Sequence, residues 1–363
     1  MKKIVAAAAA GLILAGTAFA DVSFSWKRTN IVGGTSKQLD SVERSDCLGL
    51  ELSNDIAGVV FDWDIEEDTS VSKLALDSYY GWMTFGLPVG NLQVTSGKWS
   101  GRYSDRVKSD AGDLDSDYYE AYKLGVIDNK DYKKSIASDS DNLTDGKMST
   151  VLAYTLADTL PGTLLVKAGI RAGAYDKYDS QSGFVAEVGY RQEGLINVDV
   201  AIKSPANKQT IIGAFVSPLM VENLRATVGF TMGNNDGDKE FAFDARARYA
   251  VTEKTAVTGM FNYSSISKEL AGTSDDVNKM WTMISVNHVA GDNIRFLATL
   301  QNTVRDFDAD NNGNNLTAFT PACEIQISEK ALFTAAFDMR WDGVTPYAGV
   351  GNVSLPIYVT LSL

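Results

Sequence analysis

Five carboxylates crowd one stretch of this chain, Asp110, Asp113, Asp115, Asp117 and Glu120, interleaved with Tyr118, Tyr119 and Tyr122. Of the arginines that follow further on, seven are candidates to face them: Arg171, Arg191, Arg225, Arg246, Arg248, Arg295 and Arg340. Rows of opposite fixed charge facing each other across a confined wet space set a transverse field. Such a field orients dipolar solutes and sets ion preference. The plainer reading of the same residues is a solvated loop, with scattered charges that keep an interior surface wet.

Other chemistry is poorly provided for. Hydrolysis through an activated nucleophile needs a base to take its proton. The only histidine is His288, which shares a face with Ile284 and Val286 and so reads as an interfacial or loop-base residue. No G-x-S-x-G, H-E-x-x-H or zinc-type Cys/His cluster occurs, and the expectation is a non-enzyme without cofactor. Asp308-Ala309-Asp310-Asn311-Asn312-Gly313 begins like a calcium loop, with Asp308, Asp310 and Asn312 as weak candidate ligands. Phe319 stands where the bidentate Glu belongs, which favours a solvated turn. Cys47 and Cys323 are too few and too far apart for a disulfide framework.

The elements that must position these charges are strands. Apolar and polar residues alternate with period two along almost the whole chain. Ala57, Val59, Phe61, Trp63 and Ile65 oppose Asp62, Asp64 and Glu66; Phe184, Ala186, Val188 and Tyr190 oppose Glu187, Gly189 and Arg191. Ile196, Val198, Val200 and Ile202 oppose Asn197, Asp199 and Lys203; Phe241, Phe243, Ala245, Ala247 and Tyr249 oppose Asp244, Arg246 and Arg248. Strands of about ten residues suit a tilted bilayer crossing better than a globular sheet. Strands are expected near 22–33, 44–53, 57–66, 77–86, 90–98, 148–158, 161–172, 181–192 and 195–204. They continue near 208–217, 224–233, 239–250, 255–265, 279–289, 292–303, 315–327, 330–341 and 350–363. The count is 18, with 16 open as an alternative, and short turns follow the even-numbered strands. The predicted fold class is therefore all-β: a transmembrane antiparallel up-and-down β-barrel with a long third external loop.

Destination follows from the first residues and the charge. Lys2 and Lys3, an apolar run from Ile4 to Ala15, and Ala18-Phe19-Ala20 read as a cleaved signal peptide over 1–20. The remainder, 21–363, is expected as one barrel domain in a bacterial outer membrane. Nothing after residue 20 reaches the roughly 18 apolar residues of a membrane helix. A net charge of −13 disfavours nucleic acid and suggests cation preference, which a basic wall would reverse.

Between strands 5 and 6 the chain spends residues 99–147 on polar sequence, a loop long enough to be functional. By this topology, over the whole mature chain, the protein resembles the bacterial general porins. In that family the third loop folds into the barrel and narrows it. The resemblance implies passive diffusion of small hydrophilic solutes and ions, membrane lipid and assembly machinery as partners, and homotrimer as an alternative to monomer. It carries over no individual residue. A surface adhesin or antigen on a barrel scaffold, or a solute-specific porin such as one for sugars, remains as an alternative. Trp26, Trp63, Trp82, Tyr249, Tyr263, Trp281, Trp341 and Tyr358 tend towards strand ends, as headgroup-level girdles do. The C-terminal strand alternates to Leu363 without the usual terminal aromatic. Pro321 and Pro356 sit inside strands that have no free edge, so each withholds a ladder donor.

Overall fold

The computed structural model describes residues 21–35, 39–68, 71–98, 148–156, 161–171, 184–204, 209–235, 238–268, 276–304, 315–341 and 353–362. Within them lie nineteen strands. They are β1 (Asp21–Thr35), β2 (Leu39–Ser53), β3 (Ala57–Asp68), β4 (Val71–Gly86), β5 (Asn91–Lys98), β6 (Met148–Leu156) and β7 (Thr163–Arg171). Next come β8 (Phe184–Gln192), β9 (Ile196–Ser204), β10 (Gln209–Pro218), β11 (Leu224–Asn235), β12 (Asp238–Thr252) and β13 (Thr255–Ile266). The last are β14 (Val277–Gly291), β15 (Ile294–Val304), β16 (Asn315–Ser328), β17 (Ala331–Ala336), β18 (Asp338–Trp341) and β19 (Val353–Ser362). Sequence neighbours pair antiparallel throughout, except that β17 and β18 each pair with β16 and β19, and β1 pairs with β19 from Lys27↔Ser362 to Thr35↔Ser354. The ladder thus closes on itself and leaves no edge strand.

The expected 18 crossings and the nineteen observed strands agree once β17 and β18 are taken together. Both pair with β16 and with β19, so they are two halves of one crossing interrupted at Phe337. The cause lies in the two prolines. Register carries Ala322↔Ala336 on to Pro321 opposite Phe337, and Ala335↔Ile357 on to Pro356 opposite Ala336. The Phe337 N–H donates to the Pro321 carbonyl at 2.9 Å, but Pro321 has no N–H to return. Prolines on both neighbouring strands therefore withhold donors at one point of the crossing.

Short turns close one end of the cylinder. In the β2–β3 turn the Asn54 side-chain oxygen accepts from the backbone N–H of Ile56 and Ala57, each at 2.8 Å. In the β4–β5 turn Leu87 N–H donates to the Gly90 carbonyl at 3.0 Å, and Gly90 takes φ 82°.

The two faces of the ring have opposite character. Ile284, Val286, Val200, Val188, Phe184, Phe296 and Leu300 point outward and are exposed, Leu300 at 44%. Between them Ser285, Asn287, Asp199, Glu187, Thr299 and Gln301 point inward and are buried, Thr299 at 0%. Polar inside and apolar outside is the reverse of a water-soluble β-sandwich.

Candidate functional site: the inner wall

Alternation assigns the wall residues and register makes them neighbours. Lys167 faces Glu187 across β7–β8, with Nζ–Oε2 at 3.4 Å. One strand on, Arg191 reaches diagonally to Asp199, its Nη2 donating to Oδ2 at 2.6 Å and Oδ1 at 2.7 Å. Its Nη1 also donates to the carbonyls of Val198 and Tyr190, at 2.9 and 3.0 Å. Gly189, directly opposite Asp199, leaves room for that carboxylate; a Cβ there would collide with Oδ1. Arg295 pairs with Glu324 across β15–β16.

The expected basic wall is partly assembled by these pairs. Arg191, Arg225, Arg246, Arg248 and Arg295 occupy inner-face registers. Backbone register places Arg171 opposite Ser149 and Arg340 opposite Ala318, on the same face. Two of the arginines therefore meet carboxylates of the wall itself, Asp199 and Glu324. The loop carboxylates Asp110, Asp113, Asp115, Asp117 and Glu120 lie outside the described residues, as do residues 1–20 and the calcium-loop candidates Asp308, Asp310 and Asn312.

Lys167, Glu187, Asp199 and Glu324 as partners were missed in the sequence reading, although Glu187 and Asp199 were on the polar side of their strands. Parity shows which face a residue takes but not which residue it meets; the interstrand register decides that.

The aromatic residues divide between the faces, which corrects the girdle expectation in part. Trp63, Tyr249 and Tyr263 take the outer face, as Trp26 and Trp341 do by register. Trp82, Trp281 and, by register, Tyr358 take the inner one. Trp82 lies over Gly58, where a Cβ would come within 2.6 Å of its Nε1. Trp281 is buried with Met260 and Met283. Phe215 covers Gly229 in the same manner. Each ring fills the gap above a glycine or stacks on flexible thioethers, and nearness to a strand end did not predict this.

His288 takes the outer face with Ile284 and Val286, its Nδ1 2.9 Å from the Thr255 hydroxyl. Cys47 has inner register, opposite Lys27 and Asp64; Cys323 has the outer one and is a free thiol. Among the described residues no helix is long and apolar enough to cross a membrane.

No protein-family model matches the chain, and no curated protein matches it in sequence. Solved structures do share the fold. OccK11 (OpdR) of Pseudomonas aeruginosa superposes with a TM-score of 0.53 at 6% identity, over 94% of this chain and 95% of that one. An anion-selective porin from Comamonas acidovorans gives 0.52 at 10% identity, over 94% and 99%. A loop-deletion mutant of OmpT, an outer membrane protein of Vibrio cholerae, gives 0.52 at 11% identity, over 94% and 99%. At such identities the likeness is one of fold.

Proposed function

We propose that this protein is an outer-membrane channel through which small hydrophilic solutes and ions diffuse passively. The observation that carries the reading is the inverted burial of a closed ring, with Leu300 exposed outward and Thr299 buried inward on adjacent positions. Only a cylinder with an apolar solvent outside and a polar interior gains from that arrangement. A solved anion-selective porin with the same fold lends it support.

On this reading residues 1–20 are a leader removed on export, and the short turns face the periplasm. The loop 99–147 dips inward so that Asp113, Asp115 and Asp117 confront the basic inner wall. No catalytic step is required. The charged wall replaces part of a solute's hydration while the loop limits its size.

Single-channel recording of the folded protein in planar bilayers tests the proposal. Stepwise openings that scale with salt are expected. A folded, heat-modifiable barrel that stays electrically silent overturns the reading in favour of a surface-binding protein. Asp113→Asn, Asp115→Asn and Asp117→Asn together are expected to shift ion preference towards anions; no shift removes the constriction from the proposal.

A further inference from the structure

The outer face carries a concavity at the end of the ring opposite the short turns. It is a groove of about 610 Å³ running across β10 to β13 and on to the residue before β14. Register makes its floor one row, Ile212↔Met232↔Phe241↔Ser265, on the outward parity of Val228 and Phe230. Ile212, Met232 and Phe241 are exposed. One step nearer the rim, Asn234 stands opposite Lys239, and the Ser267 N–H donates to the Lys239 carbonyl at 3.0 Å. Asp276 completes that level, one step beyond Ile266↔Val277. Lys239, Ser267 and Asp276 all line the groove.

An apolar floor beneath a charged rim has the polarity of a lipid, with its chain below and its headgroup above. Left empty, the floor would lose the dispersion contacts that its flat neighbours keep with hydrocarbon. A second copy of this chain fills it poorly, because two closed cylinders meet convex to convex. The rim narrows the choice of headgroup. Lys239 and Asp276 are exposed and lie two strand spacings apart, about 10 Å between backbones. Among the described residues no ion pair joins them. The Asp276 Oδ1 instead accepts the backbone N–H of Lys268 at 3.0 Å. A headgroup of one sign would suit one of these side chains and be opposed by the other. A headgroup with both signs is complementary to both.

We propose that this groove binds a membrane lipid with a phosphoethanolamine headgroup. One acyl chain lies along Ile212, Met232 and Phe241. The phosphate meets the Lys239 ammonium, and the ethanolamine ammonium donates to the Asp276 carboxylate, which makes both contacts charge-assisted. The inference rests on the channel reading in one respect, that this face meets lipid.

The test is native mass spectrometry of the folded protein in detergent micelles. The probes are phosphatidylethanolamine, phosphatidylglycerol and phosphatidylcholine with identical chains. Phosphatidylethanolamine is expected to give a saturable single adduct, about threefold tighter than the other two, the scale of exposed ion pairs. Phosphatidylglycerol lacks the ammonium, and the quaternary ammonium of phosphatidylcholine has no N–H to donate. Lys239→Gln and Asp276→Asn should each remove most of that preference. Ser265→Phe, which fills the floor, should lower retention of all three lipids. Heat-modifiable mobility shows that each variant is folded.

Equal retention of the three lipids, or a preference unmoved by Lys239→Gln, overturns the site. So does an oligomer in which a second copy excludes the lipid. Soluble glycerophosphoethanolamine, which has no chains, should compete far more weakly than the lipid; equal competition overturns the role of the floor. Bilayer conductance of the same sample separates the two readings. A conducting protein without lipid preference loses only the groove, and a silent barrel that keeps the preference loses only the channel.

Discussion

Asp199 is wholly buried, and the Arg191 guanidinium grips both its carboxylate oxygens, so neither charge retains much water. Removing one member of such a pair leaves the other stranded, which costs about 3–5 kcal/mol, whereas replacing both with apolar groups of similar volume costs far less. Asp199→Ala is therefore expected to lower the urea midpoint of the folded barrel substantially, and Arg191→Met with Asp199→Leu to recover most of the loss. Equal midpoints for the single and double changes would argue against a mutually dependent pair. Gly229 is a steric counterpart. With Phe215 lying across it, Gly229→Ala forces the ring off its place, at a cost of about 1–3 kcal/mol. Shrinking the ring by Phe215→Leu in the same protein should soften that penalty.

The broken crossing at Phe337 is the element where local chemistry and global closure conflict. A barrel without edges needs every ladder donor, yet Pro321 and Pro356 flank the same two positions from both sides. Pro321→Ala supplies an N–H opposite Phe337, worth about 1 kcal/mol if the bond forms. Slower amide exchange at Phe337 and the neighbouring ends of β17 and β18 is the expected sign. Unchanged exchange would place the cause of the interruption elsewhere. The neighbouring ladders run on from β14 to β16 without such a defect; there Ser285 bonds Thr299 at 2.9 Å and carries the inner face continuously from strand to strand.

For the molecule as a whole, what matters is which solvent each face meets. Ile284 and Ser285 are sequence neighbours on opposite faces. Ile284→Arg puts a charge into hydrocarbon, at about 2–4 kcal/mol near the midplane. Ser285→Arg puts the same charge into the polar interior. The first is expected to impair folding into lipid vesicles. The second is expected to leave folding nearly intact while changing conductance, and the reverse outcome would contradict the inside-out assignment. Shortening loop 99–147 should raise single-channel conductance if that loop narrows the channel.

Period-two alternation, strand length and the rhythm of short turns were enough to read the barrel, its 18 crossings and most strand limits to within a few residues, because side-chain parity is a local property of extended backbone. Parity also placed His288 and Cys323 on the faces they take. Register lay beyond it. Alternation is unchanged when one strand slides past another by two residues, so Lys167–Glu187, Arg191–Asp199 and Arg295–Glu324 are invisible until the ladder is closed. The inward turn of Trp82 and Trp281 belongs to the same class, since the space each ring fills comes from Gly58 on a neighbouring strand, or from Met260 and Met283 beside it. The sequence by itself determined which face each residue takes; only the closed tertiary structure decided what each residue meets, because closure is what converts many separate strands into one set of cross-strand neighbours.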